Sequence, residues 1–142
     1  MRTPLLLGTA FGLAILAAPT LAAPASAPHA AACVAALKAQ EAGLAETAKA
    51  GGAVEPVLTQ VVRSGIAIIG TQYLAGLREG EARQLLKAAE KEFETVPPAE
   101  AEERQARCLH EGDSLYQHAS ALERSLITSA AQRRIRRMTA PT

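Results

Sequence analysis

The sequence predicts an all-α protein: a small bundle of four or five helices, stapled by one disulfide. Three observations carry that prediction. Apolar residues recur at helical spacing through most of the chain, and no stretch shows the strict alternation of a strand. Glycine and proline punctuate the chain at Gly51-Gly52, Gly76 to Gly80 and Pro97-Pro98. The 142 residues hold two cysteines, Cys33 and Cys108, so a single pairing is possible. The length suits one domain.

The first residues read as an export signal rather than as fold. Arg2 supplies the positive charge, and an apolar run follows from Leu5 to Ala18. Pro19 ends that run, which is shorter than the roughly 20 residues a bilayer span requires. Residues 1–23 are therefore expected to be a signal peptide cut between positions 22 and 27, where Ala and Pro alternate. Residues 24–30 are expected to form a flexible leader, and residues 31–139 a single helical domain.

Export sets the reading of the cysteines. In an oxidising compartment an even count is a disulfide first, so Cys33 is expected to join Cys108. Ala30-Ala31-Ala32-Cys33 also loosely matches a lipoprotein cleavage box. Ala rather than Leu stands three before the cysteine, however, and Pro19, Pro24 and Pro28 separate the box from the apolar run.

A first helix is expected from about Ala31 to Ala50, stopped by Gly51-Gly52. Pro56 suits the first turn of a second helix, where its missing N–H costs nothing. Val57, Leu58, Val61, Val62, Ile66, Ile68, Ile69, Tyr73 and Leu74 make that helix apolar nearly all round, so it is expected at the centre, covered by the others. Its polar Gln60, Arg63, Ser64 and Gln72 argue against a membrane span. Gly65, Gly70 and Gly76 weaken it, and at least one is expected to permit a close backbone approach. Gly80 is expected to end or bend it.

The third helix carries Ala82, Leu85, Leu86, Ala89 and Phe93 on one side, opposite Glu81, Arg83, Lys87, Glu90 and Lys91. Val96-Pro97-Pro98 breaks the chain. A fourth helix follows, whose stripe through Cys108, Leu109, Leu115 and Tyr116 stays in phase past Gly112, leaving either a continuous helix or a kink there. Ser120-Ala121-Leu122-Glu123 matches a capping box and starts a fifth helix that ends near Met138.

Candidate chemistry is sparse. Cys108, His110, Glu111, Asp113 and His118 form the densest group of ligand types, and a thiolate with imidazoles can hold zinc. His110 and His118 are two turns apart, and the disulfide would consume the thiol, so no metal or cofactor is expected. Glu90, Glu92 and Glu94, like Glu100, Glu102 and Glu103, read as a solvated face rather than as a catalytic pair, which needs burial to separate its pKa values. Ser114, Ser120 and Ser125 lack the Gly-x-Ser-x-Gly context of a nucleophile. No enzyme activity is expected.

Charge is unevenly spread. Residues 79–113 hold ten Asp or Glu against five Lys or Arg, whereas Arg124, Arg133, Arg134, Arg136 and Arg137 face Glu123 alone in the last helix. This balance argues against nucleic acid, which needs a wide positive face. Arg133, Arg134, Arg136 and Arg137 are candidate contacts to an acidic partner or an anionic membrane, or simply complement the helix dipole. The layout resembles the exported helical immunity proteins that protect bacteria from type VI secreted cell-wall amidases, through Cys33-Val34-Ala35, Cys108-Leu109 and Tyr116, a small share of the chain. The expected role is thus a periplasmic or secreted, non-catalytic protein-binding module of the inhibitor or immunity kind. Peripheral attachment to anionic membrane through the basic last helix is the alternative.

Overall fold

The computed structural model describes residues 25–141, and the expected export signal lies outside them. Five helices follow one another: α1 Ala27–Lys49, α2 Glu55–Leu74, α3 Glu79–Phe93, α4 Pro98–His118 and α5 Ala121–Thr139. No strand occurs among the described residues.

α1 starts four residues earlier than expected, inside the stretch read as a leader. Ser26 caps it by accepting from the His29 N–H, and Pro28 occupies its first turn. At its other end Gly51 takes φ +87°, a left-handed conformation that glycine adopts without strain. The second helix has Pro56 in its first turn as the sequence indicates. It ends before Gly76, at φ +98°, rather than at Gly80, which lies in the first turn of α3. The α4 helix runs unbroken through Gly112. At the start of α5 the capping box is complete, with Ser120 and Glu123 each bonding the other's backbone N–H.

α2 packs against α1, α4 and α5, and α3 rests chiefly on α1. Leu37, Leu58, Val61, Val62 and Ile68 are fully buried between these helices. Each such side chain contributes about 1.5–3 kcal/mol on leaving water. A second cluster seats Ala131 of α5 on Leu58 and Val62. Polar ties supplement this aliphatic core. The Arg63 guanidinium lies 4.0 Å over the Tyr116 ring and 3.3 Å from Asp113, joining α2 to α4. Lys38 of α1 pairs with Glu90 of α3.

Two expectations about α2 are corrected. Its apolar surface is not wholly covered: Val57, Ile69, Tyr73 and Leu74 are exposed, because α3 leans on α1 instead of closing over α2. Nor do Gly65, Gly70 or Gly76 permit a close approach, since each has open space where a Cβ would stand. The glycine that does is Gly112 of α4, set against Ser64.

Candidate functional site

Helix periodicity decides what surrounds the two cysteines. Cys33 on α1 and Cys108 on α4 are joined in a disulfide, as the sequence indicates, with Cα atoms 5.1 Å apart. One turn before Cys33 stands His29, and one turn after Cys108 stands Glu111. Bringing the cysteines together therefore brings these two together as well. His29 Nε2 lies 2.8 Å from Glu111 Oε2 and 3.8 Å from Cys33 Sγ. Arg104 and Arg107 line the same cavity. This cluster replaces the one suggested by sequence. His110 is exposed and the His118 ring turns back to the Ser114 carbonyl, so neither faces the sulfurs.

The acidic runs are solvated and locally paired. Glu100 and Glu92 bond Arg104, Glu103 lies 3.9 Å from Arg107, and Glu90 bonds Lys38. None of these pairs two carboxylates in a buried setting.

The four C-terminal arginines divide. Arg134 turns inward, with its Nε 2.5 Å from a carboxylate oxygen of Glu41, a residue only 5 % exposed. Arg133, Arg136 and Arg137 face solvent. On α5, positions 122, 126, 133 and 137 share one face. Leu122 is 70 % and Leu126 62 % exposed, so that face is apolar at its start and basic at its end. No signal in the arginine run itself distinguishes Arg134. It comes from the opposing carboxylate on α1.

An apolar groove is bounded by the start of α1, the end of α2 and α3. Ala30 and Val34 form its floor with Ile68, Ile69 and Tyr73 forming one wall and Leu85 and Leu86 the other. It encloses about 230 Å³, below the roughly 300–1,000 Å³ of small-ligand pockets, and so suits side chains of a partner better than a whole cofactor. Gln72 on the same wall donates a 2.9 Å hydrogen bond to the Ala25 carbonyl, fixing the chain where it enters α1. No described helix is long and apolar enough to cross a membrane. No protein-family profile, curated protein or solved structure matches this chain.

Proposed function

We propose that the chain is an exported, non-catalytic binding protein of the inhibitor or immunity kind, holding an apolar segment of another envelope or secreted protein in the α1–α2–α3 groove. One observation carries the reading: Ile69 and Tyr73 line the groove yet are 37 % and 45 % exposed, with Leu74 beside them at 78 %. Clustered large side chains left in water mark contact surfaces. An amphipathic helix laid into a groove of this kind uses one face of a few anchors. The disulfide suits the role, because a binding face is worth more when its helices are fixed before the partner arrives.

The test is capture of partners from envelope extract of the native host by the tagged mature protein, beside a Tyr73→Glu/Leu74→Glu variant. Both positions are exposed, so the variant keeps its helical content. A stoichiometric partner held by the parent and released by the variant supports the reading; equal retention by both, or no partner at all, removes it.

A second reading rests on the α5 face, where Leu122 and Leu126 precede three free arginines. Such a face suits an anionic bilayer surface, leucines in the acyl boundary and guanidinium groups on phosphates. Flotation with anionic vesicles, lost when Arg133, Arg136 and Arg137 become Gln, supports it. Indifference to that change, or equal binding to zwitterionic vesicles, counts against it.

A further inference from the structure

We propose that the disulfide and a zinc ion are alternative occupants of one site, so that reduction converts the Cys33–Cys108 staple into a four-ligand metal centre completed by His29 and Glu111. The donors come as two pairs, each one helical turn apart: His29 and Cys33 on α1, Cys108 and Glu111 on α4. Facing helices of a bundle build metal sites by projecting such pairs inward. A thiolate pair, an imidazole and a carboxylate all belong to the ligand set that zinc accepts.

The spacing is close to that of a zinc site. Zinc bonds of about 2.0–2.3 Å in a tetrahedron hold neighbouring donor atoms roughly 3.3–3.8 Å apart. Here His29 Nε2 stands 3.8 Å and Glu111 Oε2 3.9 Å from Cys33 Sγ, close to that spacing, whereas the hydrogen-bonded His29–Glu111 pair, 2.8 Å apart, must part by roughly 0.5 Å to admit the ion. These three donors lie within 4.8 Å of one another, and the sulfur of Cys108 is bonded to that of Cys33. Both cysteines are buried, whereas the His29 side chain is 54 % exposed, which leaves an entry path from solvent.

Charge closes the argument. Two thiolates and a carboxylate around a divalent ion leave one net negative charge, and Arg104 and Arg107, which also pair with Glu92, Glu100 and Glu103, line the same cavity. Loading runs in two balanced steps. A dithiol gives two electrons and two protons to the S–S bond, which breaks into two thiols while the dithiol becomes a disulfide. Zinc then displaces those two protons as the sulfurs bind it. While the sulfurs remain bonded to each other, they provide no thiolate and only His29 and Glu111 are left as ligands, too few for a structural site.

The test titrates the full chain, oxidised or reduced with a dithiol and desalted without air, with cobalt(II) as a spectroscopic stand-in for zinc. The reduced chain is expected to take one equivalent, with thiolate-to-cobalt charge transfer and tetrahedral visible bands, and to surrender it to zinc. The oxidised chain is expected to show neither band. His29→Ala and Glu111→Gln, which leave both cysteines in place, are each expected to weaken binding at least tenfold. No charge transfer in the reduced chain, or undiminished affinity in both variants, overturns the proposal. If the reduced chain loses helical signal, one equivalent of zinc restores it where the proposal holds, and its failure to do so counts against it.

Discussion

Gly112 on α4 lies flat against Ser64 on α2: a methyl group at Gly112 would stand 2.6 Å from both the Cβ and the carbonyl oxygen of Ser64. The obstacle includes backbone, so no rotamer change relieves it. Two effects then oppose each other in Gly112→Ala. Alanine gains about 1 kcal/mol of helix propensity, but overpacking a close helix contact costs about 1–3 kcal/mol and occasionally more. The clash is expected to win, lowering stability in urea denaturation, whereas Gly65→Ala and Gly70→Ala, which meet nothing, are expected to raise it by up to about 1 kcal/mol. At the same contact the Ser64 hydroxyl is buried with no hydrogen-bond partner. Ser64→Ala is therefore expected to be neutral or stabilising by roughly 1 kcal/mol.

Glu41 and Arg134 give a second contrast. The carboxylate is buried while its partner is 39 % exposed on the side chain, so breaking the pair leaves a charge stranded on the inner side only. A fully buried pair costs about 3–5 kcal/mol to break, and partial solvation of the arginine reduces that here to about 1–3 kcal/mol. Arg134→Gln is expected to destabilise the fold by that amount, and Arg133→Gln to change it by less than about 0.5 kcal/mol. Equal denaturation midpoints for the two variants would remove the distinction drawn among the four arginines.

If the proposed export signal is cleaved, the positions of Ala25 and Ser26 narrow where the cut falls. A cut after Ala25 removes the carbonyl that Gln72 holds, and one after Ala27 also removes the Ser26 cap of α1. Cuts after Ala22 or Ala23 keep both. On the proposal of export, amino-terminal sequencing of the mature protein is expected to start at Ala23 or Pro24. A start at Ser26 would show that the Gln72–Ala25 contact is dispensable, and a start at Pro28 that the Ser26 cap is dispensable as well.

Much of the fold was legible because it is written in local chemistry. Gly51-Gly52, Pro56, Pro97-Pro98 and the Ser120–Glu123 box set helix ends within a few residues, through conformations that no distant contact has to impose. The start of α1 was legible too, in Ser26 followed by Pro28, but a run of small residues after an export signal reads first as a leader. What periodicity does not encode is which neighbour covers a given face. α2 is apolar nearly all round, yet α3 packs on α1, and the resulting groove depends on the turn between Leu74 and Glu79 rather than on either helix's pattern. The same limit hid the Glu41–Arg134 pair. The His29–Glu111 pair was within reach, since accepting the Cys33–Cys108 bridge places residues one turn away beside each other.

The disulfide closes a loop with a sequence separation of 75 residues. In the chain-entropy model a loop of that size contributes about 4 kcal/mol by restricting the unfolded chain. Among the described residues no large aromatic is fully buried in the core it supports, so the bridge is a sizeable part of the 5–15 kcal/mol typical of a domain. Metal-free reduction, or Cys33→Ser/Cys108→Ser, is expected to lower the unfolding free energy by about that much. A shift below roughly 1 kcal/mol would mean that α1 and α4 hold together without it.

The capping box ties stability to pH through one carboxylate. Hydrogen bonds from Ser120, that of its side chain first and of its backbone N–H second, hold the Glu123 carboxyl below the ordinary glutamate range. The folded state thus binds this proton less readily than the unfolded chain does. The contribution is fully present above the ordinary glutamate value, about 4.3, and is lost as pH falls through the lowered folded value. Glu123→Gln should accordingly lower stability at pH 7 and approach the parent in acid. Ser120→Ala removes the hydroxyl but keeps the backbone N–H, and because a serine cap contributes about 1 kcal/mol it should cost stability at both pH values. In that background the difference between Glu123 and Gln should shrink at pH 7 without vanishing, because the backbone N–H of residue 120 still donates to the carboxylate. A Glu123→Gln effect that persists unchanged after Ser120→Ala would show that the carboxylate acts through the backbone N–H and the helix dipole rather than through the Ser120 hydroxyl.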